Sequence, residues 1–228
     1  MISLREVQQV FDEIANEFDK TRRRPWRCSL EVIGLLQKGL LLDVGCGNGR
    51  HSLLACAMGL EVISIDISAR MVGIALKNLR EYGLDELVNP IVADMRYLPL
   101  RNACIDGALC VAVIHHIPTE IDRRLALREV YRTLKDEGLA IITAWSIWNL
   151  KRFINAIKIK FKMPRTASFG DALIPWRRKF LRYYHLYTLR GLVKLVRASG
   201  FKVIKYYSEK GRIFKENLVV VAKKHGAG

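Results

Sequence analysis

The chain has 228 residues, of which 50% are hydrophobic and 26% are charged, and its formal net charge is +16. This composition provides a sizeable core and excludes global disorder. The longest apolar runs, 107–114 and 138–147, are shorter than the roughly 18–20 residues of a membrane span, and the amphipathic N-terminus lacks the apolar region of a signal peptide. Five cysteines without a C-x-x-C pair predict reduced thiols and no metal site, so we expect a soluble cytoplasmic protein.

Two patterns follow each other along the first two thirds of the chain. In residues 1–37 the apolar side chains recur at the spacing of helices. From residue 40 onward, short apolar runs alternate with amphipathic segments. These predict strands at 40–44, 61–65, 88–93, 107–114 and 139–145, and helices at 49–58, 69–82 and 120–134. The order βαβα is typical of a doubly wound α/β sheet.

Residues 149–182 interrupt this alternation. Apolar residues at helical spacing run from Leu150 to Phe161, and Pro164, Gly170 and Pro175 then predict a loop. We interpret this segment as an insertion before a helix at 189–198 and strands at 202–207 and 218–222. The predicted organisation is one domain over 1–228, made of N-terminal helices (1–37), an α/β core (40–145), a basic insertion (149–182) and a C-terminal helix with strands (183–228).

The excess positive charge lies in the last third of the chain. Residues 1–150 contain 18 basic and 19 acidic residues, whereas residues 151–228 contain 20 basic and 3 acidic residues. Aromatic residues such as Phe161, Tyr183 and Tyr206 are interleaved with these cations. Cations bind phosphate and aromatic rings stack on bases, so the pattern predicts contact with nucleic acid. A solvated basic surface without a ligand is the alternative.

The strongest motif is D-V-G-C-G-N-G over residues 43–49, where the first predicted strand meets a helix. Glycines let the backbone approach a ligand closely, and the spacing differs from the G-x-G-x-x-G of dinucleotide sites. Asp66 and Asp94 end the next two predicted strands, and parallel strands of such a sheet end at one crevice. Because acids accept ribose hydroxyls and repel phosphate, these residues favour a cationic nucleoside without phosphate, such as S-adenosylmethionine.

The glycine loop, Asp66 and the segment Ala93-Asp94-Met95 together resemble the class I S-adenosylmethionine-dependent methyltransferases. The resemblance implies a Rossmann-like seven-stranded sheet with strand order 3-2-1-4-5-7-6 and one antiparallel strand. It also implies that the glycine loop lines the methionine end of the cofactor, that Asp66 binds the ribose and that Asp94 contacts the adenine. The implied cofactor-binding residues are Asp43, Gly45, Cys46, Gly47, Asn48, Gly49, Asp66, Ile67, Met71, Asp94, Met95 and Ala112.

The acceptor is indicated by the segment after the fourth predicted strand and by motifs outside the core. Residues 111–116 read V-A-V-I-H-H, without the N-P-P-Y of exocyclic amine methylation or the cysteine of 5-methylcytosine formation. Residues 10–15, 21–26, 112–116, 174–176, 182–185 and 217–221 resemble, in this order, the tRNA wobble-uridine carboxymethyl methyltransferases. The resemblance implies esterification of 5-carboxymethyluridine at tRNA position 34. Arg23 and Arg24 depart from it, since the family has an aromatic residue and a lysine there.

A carboxylate acceptor is ionised at neutral pH, so it requires alignment rather than a strong base. Arginine orients carboxylates through paired hydrogen bonds, and Arg22 and Arg182 lie in the family-like segments. We predict both as catalytic, with His116 as a hydrogen-bond donor to the acceptor. The predicted substrate-binding residues are Arg22, Arg24, Trp26, His115, His116, Trp145, Trp176, Arg182 and Tyr184.

These residues also have structural interpretations. Arg22 lies in a basic run of the kind that is usually solvated, and Arg182 is also suited to RNA phosphate. The two histidines are placed to cap the helix that follows Pro118, and tryptophans at positions 145 and 176 are typical core residues.

The resemblance further implies a protein partner, a small zinc-binding methyltransferase activator that docks by strand pairing. In the expected order the strand at 88–93 is an edge, and an unpaired edge accepts a further strand. We therefore predict a heterodimer that acts on the tRNA anticodon stem-loop, with no membrane association. Two alternatives remain. A quinone or lipid methyltransferase leaves the basic third unexplained, and an inactive RNA-binding protein of this fold leaves the intact acids unexplained.

Overall fold

The computed structural model describes residues 2–36, 38–162, 168–177, 179–210 and 216–226. Within them the helices are α1 (Leu4–Thr21), α2 (Leu30–Ile33), α3 (Arg50–Ala57), α4 (Ala69–Glu81), α5 (Glu120–Thr133), α6 (Leu150–Lys162) and α7 (Leu189–Ala198). The strands are β1 (Leu40–Val44), β2 (Glu61–Asp66), β3 (Val88–Val92), β4 (Ile105–Cys110), β5 (Leu134–Trp145), β6 (Asp171–Trp176), β7 (Phe180–His185), β8 (Lys202–Lys210) and β9 (Glu216–Lys223). No helix among these residues is long and apolar enough to cross a membrane.

Seven strands form one sheet in the order β3-β2-β1-β4-β5-β9-β8. The first five are parallel to one another, and β9 is antiparallel to both of its neighbours. With the separate β6–β7 hairpin left out of the count, this is the predicted order 3-2-1-4-5-7-6 with one antiparallel strand. The central strand β1 is buried from Leu41 to Val44, as expected for a strand with helices on both faces of the sheet.

Two predicted elements are wrong. The predicted loop after Pro164 contains the hairpin β6–β7, whose second strand also crosses the predicted boundary at 182. Pro164 itself lies outside the described residues. Pro175 is compatible with a strand because β6 pairs on one side only, with β7. The predicted strand at 107–114 ends at Cys110; the chain then leaves the sheet through Ala112, whose φ is +59°, and forms a 3-10 turn at Ile114–His116.

Helix α1 covers the end of the sheet at which the parallel strands terminate. It begins with a capping box, in which Ser3 and Glu6 satisfy each other's backbone N–H groups. Its apolar face packs on α4 and on β7. Asp12 accepts a hydrogen bond from Ser68 Oγ at 2.6 Å, and Asp19 Oδ1 accepts one from Asn48 Nδ2 at 2.9 Å. These two bonds fix the helix directly over the glycine loop.

Candidate active site between the glycine loop and a hairpin

A pocket of about 140 Å³ opens under α1, at the carboxyl ends of β1, β2 and β4. Two sets of predicted residues meet in it. The glycine-loop wall consists of Gly45, Cys46, Gly47, Asn48, Asp66, Ile67, Met71, Asp94, Met95 and Ala112. The hairpin wall consists of Arg22, Trp26, His115, His116, Trp145, Arg182 and Tyr184. The fold thus brings residues as far apart in the chain as Arg22 and Tyr184 to one cavity.

The three glycines of the loop all have positive φ, +66° at Gly45, +55° at Gly47 and +77° at Gly49. A Cβ atom at Gly45 would lie 2.3 Å from Val113 Cγ2, and one at Gly47 would point to the ring of Phe18 at 3.5 Å. The loop is therefore glycine-rich for two reasons, namely left-handed backbone and close approach. A side chain at position 47 would fill the space between the loop and α1.

Asp66 is bound to this loop. Its Oδ2 accepts a hydrogen bond from Gly47 N and its Oδ1 accepts one from Ser68 N, both at 2.9 Å. Burial raises the pKa of Asp66, and these two bonds partly oppose the rise. Asn48 lines the same wall, and its amide oxygen is buried without a hydrogen-bond partner. The wall therefore presents carboxylate and amide acceptors, which suit hydroxyl and ammonium donors.

Asp94 is paired rather than free. Arg96 Nη2 lies 2.7 Å from Asp94 Oδ2, and Arg96 Nη1 lies 2.9 Å from Asp122 Oδ1. The pairing orients Asp94 at the end of β3 and neutralises part of its charge. Sequence reasoning missed Arg96, although an arginine two residues after an acid at a strand end is a recognisable signal.

Four predicted site residues do not line the pocket. Asp43 lies behind the loop, where it accepts a hydrogen bond from Ser52 Oγ at 2.6 Å and burial raises its pKa to about 6. Gly49 lets α3 approach α4, since its Cβ would lie 2.8 Å from Ala75 Cβ. Arg24 is exposed to solvent. Trp176 is buried behind the hairpin wall, where its ring packs against Phe18.

Arg182 is the central cation of the hairpin wall. Its Cζ lies 4.6 Å from the ring centre of Trp176 and 5.2 Å from that of Tyr184, and Tyr184 stacks on Trp145 at 4.5 Å. The residue is 7% exposed, its Nε has no hydrogen-bond partner, and no carboxylate of the described residues forms a salt bridge with it. Burial lowers the pKa of Arg182, but an arginine retains its charge at neutral pH. A buried guanidinium without a counter-ion favours an anionic ligand.

Arg22 approaches the same aromatic group from α1, with its Cζ 5.5 Å from the ring centre of Trp176. No carboxylate of the described residues forms a salt bridge with Arg22 either. The two predicted arginines thus lie around one tryptophan, and both line the pocket.

The two histidines of the hairpin wall are neutral and have defined tautomers. Burial lowers the pKa of His116 to about 3 and the pKa of His115 well below its usual value. His116 Nδ1 lies 2.9 Å from the carbonyl oxygen of Tyr183, which accepts only, so this nitrogen carries the proton. His115 Nδ1 accepts a hydrogen bond from Trp145 N, so its proton is on Nε2. His116 Nε2 is therefore an acceptor, and the predicted donor role of His116 does not fit this geometry.

Several lining residues were not predicted. Phe11 and Phe18 project from α1, and Phe11 contacts His116 with ring centres 4.8 Å apart. Arg50 follows the glycine loop, and burial together with Arg22 lowers its pKa to about 10. The aromatic face of α1 was a usable signal, whereas nothing local to the sequence indicates that this face covers a ligand pocket rather than a core.

Comparisons with known proteins agree with this geometry. Residues 42–142 match the family model described as a methyltransferase domain. A protein of Encephalitozoon cuniculi named as a methyltransferase is 35% identical over 214 residues, which cover 91% of this chain and 92% of that protein.

Two further relatives are named tRNA (carboxymethyluridine(34)-5-O)-methyltransferase. The one from Schizosaccharomyces pombe is 27% identical over 96% of both chains. The one from Xenopus tropicalis is 36% identical over 142 residues, which make up 62% of this chain and 21% of that protein.

Solved structures share the fold. A methyltransferase of Methanosarcina mazei superposes with a TM-score of 0.76 at 22% identity, over 90% of this chain and 100% of that one. The 1,6-didemethyltoxoflavin-N1-methyltransferase of Burkholderia thailandensis, whose crystal structure contains S-adenosylhomocysteine, gives a TM-score of 0.70 at 18% identity, over 99% of this chain and 92% of that one. The glycine loop, the acids at the strand ends, the sheet order and the relatives agree, and the chain belongs to the S-adenosylmethionine-dependent methyltransferases.

Proposed function

We propose that this methyltransferase acts in the cytoplasm and esterifies the carboxylate of 5-carboxymethyluridine at the wobble position of tRNA. The proposal rests on one observation above all, the buried Arg182 guanidinium that has an unused Nε and no salt bridge to a described carboxylate. It is supported by the two relatives, from Xenopus tropicalis and Schizosaccharomyces pombe, that are named for this reaction. A neutral acceptor would leave the charge of Arg182 uncompensated in the pocket.

The glycine-loop wall fits S-adenosylmethionine, which supplies an electrophilic methyl group on its sulfonium when bound. Asp66 is held by two backbone N–H groups and keeps lone pairs for the ribose hydroxyls. The unpartnered amide oxygen of Asn48 is an acceptor for the ammonium group of the methionyl moiety. Gly47 leaves the space that a Cβ atom would occupy beneath Phe18.

The hairpin wall positions the acceptor. Arg182 and Arg22 are both placed to donate hydrogen bonds to a carboxylate from around Trp176. A carboxylate is already ionised near neutral pH, so the wall contributes alignment and charge compensation rather than proton abstraction. His116 accepts through Nε2 and is suited to a hydroxyl or imide N–H of the nucleoside, not to the carboxylate.

The RNA would approach over the basic last third of the chain. Around α6 and the hairpin three aromatic side chains are largely exposed, Trp148, Phe161 and Phe169. Exposed rings among lysines and arginines stack on unpaired bases while the cations bind phosphates, which suits the loop of an anticodon arm.

A partner surface belongs to the same proposal. Strand β3 pairs with β2 on one side, its other side is the edge of the sheet, and Val92 is 52% exposed there. We expect a small zinc-binding methyltransferase activator protein to add a strand at 88–93 and form a heterodimer. Val92→Lys should weaken a 1:1 complex measured by light scattering, whereas Ile204→Lys on the opposite edge strand β8 should not. Full activity and monodispersity of the lone chain would argue against a heterodimer.

The activity test uses the chain, with and without the activator, together with S-adenosylmethionine and tRNA that contains 5-carboxymethyluridine. Nucleoside mass spectrometry should detect the methyl ester at the wobble uridine. Arg22→Ala and Arg182→Ala should abolish it, while Arg197→Ala, an exposed arginine of α7, should not. Methylation elsewhere on the tRNA would contradict the carboxylate mechanism, and cofactor binding without RNA methylation would favour a small-molecule acceptor.

A further inference from the structure

A second pocket, of about 270 Å³, lies on the other face of the hairpin, between α5, β7 and α7. Side chains alternate along β7, so Arg182 and Tyr184 line the first pocket while His185 lines the second. The second pocket contains no predicted site residue, and the transfer reaction does not use it. Its polar lining residues are Glu120, Arg123, Arg124, His185, Tyr187, Thr188 and Lys194.

Two buried donors of this pocket lack partners. Tyr187 is 6% exposed, its hydroxyl has no hydrogen-bond partner within 3.5 Å among the described residues, and the guanidinium of Arg123 lies beside it, with Cζ 6.0 Å from the ring centre. Arg123 is 2% exposed; its Nη1 donates to the carbonyl oxygens of Ile117 and Pro118, but its Nε has no partner. Buried donors that remain unpaired destabilise a fold, so two of them beside one cavity indicate a ligand that accepts hydrogen bonds.

The charge around the pocket is positive. Three cations line it, and the carboxylate among its described lining residues, Glu120, lies 2.9 Å from Arg124. His185 is bound to Asp171, with Nδ1 and Oδ1 2.8 Å apart, and burial lowers the pKa of His185. The N-terminus of α7 also faces this region, since its N-cap Thr188 and its third residue Gly191 are lining residues. A helix N-terminus adds partial positive charge.

We propose that this second pocket binds a phosphate group. Guanidinium, ammonium and hydroxyl donors together with a helix N-terminus form the donor set that phosphate oxygens accept. A phosphodiester of bound RNA is one source of that group, and this source rests on the proposed function. A free phosphate compound is the other source.

The position of the pocket gives it a relation to the first site. The hydroxyl of Tyr183 donates a hydrogen bond to Asp171 Oδ1 at 2.6 Å. The same carboxylate oxygen is hydrogen-bonded to Nδ1 of His185. The carbonyl oxygen of Tyr183 accepts from His116 in the first pocket. A phosphate held here is therefore fixed to the hairpin that carries Arg182, so it would anchor an RNA whose nucleoside occupies the first pocket.

The first test measures thermal unfolding in increasing inorganic phosphate, with chloride added to keep the ionic strength constant. The wild-type midpoint should rise in a saturable way. Tyr187→Phe should lose this rise, and Lys194→Gln should reduce it. The controls Tyr131→Phe, a tyrosine of α5 outside the pocket, and Arg197→Gln, at the far end of α7, should keep it.

Tyr187→Phe also separates loss of the site from loss of the fold. The deleted hydroxyl has no hydrogen-bond partner within 3.5 Å in the part of the chain that the structure describes, so without phosphate the variant should unfold at the wild-type temperature or above it. An identical phosphate-dependent rise in wild type and Tyr187→Phe, or no rise in either, would overturn the proposal.

The second test measures tRNA binding as a function of salt. If RNA supplies the phosphate, Tyr187→Phe and Lys194→Gln should bind tRNA several-fold more weakly, and Lys194→Gln should reduce the slope of log K against log salt by about one. Lost phosphate stabilisation with unchanged tRNA binding would still support the pocket and assign it to a free phosphate compound. The phosphate test requires no methyl transfer, so its failure is distinguishable from failure of the proposed function.

Discussion

The two walls of the first pocket are built in different ways. The glycine-loop wall comes from short segments at the ends of β1, β2, β3 and β4, and its loop is one continuous run of residues, 43–49, whose three glycines have positive φ. The hairpin wall combines α1, the turn after β4, the end of β5 and the separate hairpin, so its geometry depends on long-range contacts. Backbone conformation dominates the first wall, whereas buried charge and aromatic stacking dominate the second. Substitutions in the glycine-loop wall should therefore weaken cofactor binding and folding. Substitutions in the hairpin wall should instead weaken the alignment of the acceptor.

Gly45→Ala should have the largest effect. Its Cβ atom would collide with Val113 and its φ is positive, so we expect a loss of about 3–5 kcal/mol in the free energy of unfolding and no measurable cofactor binding. Gly59→Ala is the matched control, because φ there is +84° but a Cβ atom meets nothing within 4 Å. Its cost should stay near 1 kcal/mol. Denaturant unfolding measures the stability of both variants, and titration with S-adenosylhomocysteine measures their cofactor binding. Equal losses of stability in Gly45→Ala and Gly59→Ala would refute the steric argument.

Arg182→Met should separate the two walls. Removal of the aligning guanidinium should lower kcat/KM for the tRNA about 100-fold. The affinity for S-adenosylhomocysteine should stay within two-fold of wild type, and the free energy of unfolding should be unchanged or higher, because a buried unpaired charge is removed. Arg197→Met controls for loss of a surface charge. A matching loss of cofactor affinity in Arg182→Met would mean that the walls are not separable.

The buried histidines predict acid sensitivity. His116 titrates near its ordinary pKa when unfolded but has a pKa of about 3 when folded. Between these values the unfolded chain binds more protons, so stability falls as the pH decreases below about 6.5. His116→Asn keeps a donor to the carbonyl of Tyr183. Between pH 6.5 and pH 5, the free energy of unfolding of this variant should fall by about 2 kcal/mol less than that of the wild type. Parallel pH profiles of His116→Asn and wild type would exclude a buried neutral His116.

Asp19→Asn should have the smallest effect. Asp19 Oδ1 accepts hydrogen bonds from both Asn48 and Asn78 and so ties α1 to the glycine loop. Replacing the charged acceptor should weaken binding of S-adenosylhomocysteine several-fold and cost about 1 kcal/mol of stability. Asp85→Asn breaks an exposed ion pair with Arg80 and should change either quantity by less than about 0.5 kcal/mol. Calorimetric titration with S-adenosylhomocysteine measures the affinity of both variants. Equal affinities of Asp19→Asn and Asp85→Asn would show that α1 does not act on the loop.

The sequence predicted most strands and the glycine-loop wall because their signals are local, whereas the sheet order was implied by the family resemblance. Apolar runs predict buried strands, and glycines between a strand and a helix, with Asp66 one strand later, predict a ligand loop. The hairpin β6–β7 was missed because Pro164, Gly170 and Pro175 are typical of a loop, and Pro175 is compatible with a strand only because β6 pairs on one side. Arg96 was missed although Asp94 lies only two residues before it, whereas Arg50 was missed because the group that it contacts, the carbonyl oxygen of Arg22, lies 28 residues away in the chain.

The residues of the hairpin wall were named correctly as pocket neighbours, but their chemistry was not decided by the sequence. Only the tertiary structure shows that Tyr183 offers a carbonyl to His116 and thereby makes Nε2 an acceptor. Likewise, only burial distinguishes Arg182, which lacks a salt bridge to any described carboxylate, from solvated arginines of the same basic third. Conformation at glycine is set by its own backbone and neighbours, whereas protonation and charge compensation depend on which distant groups share the same low-dielectric space.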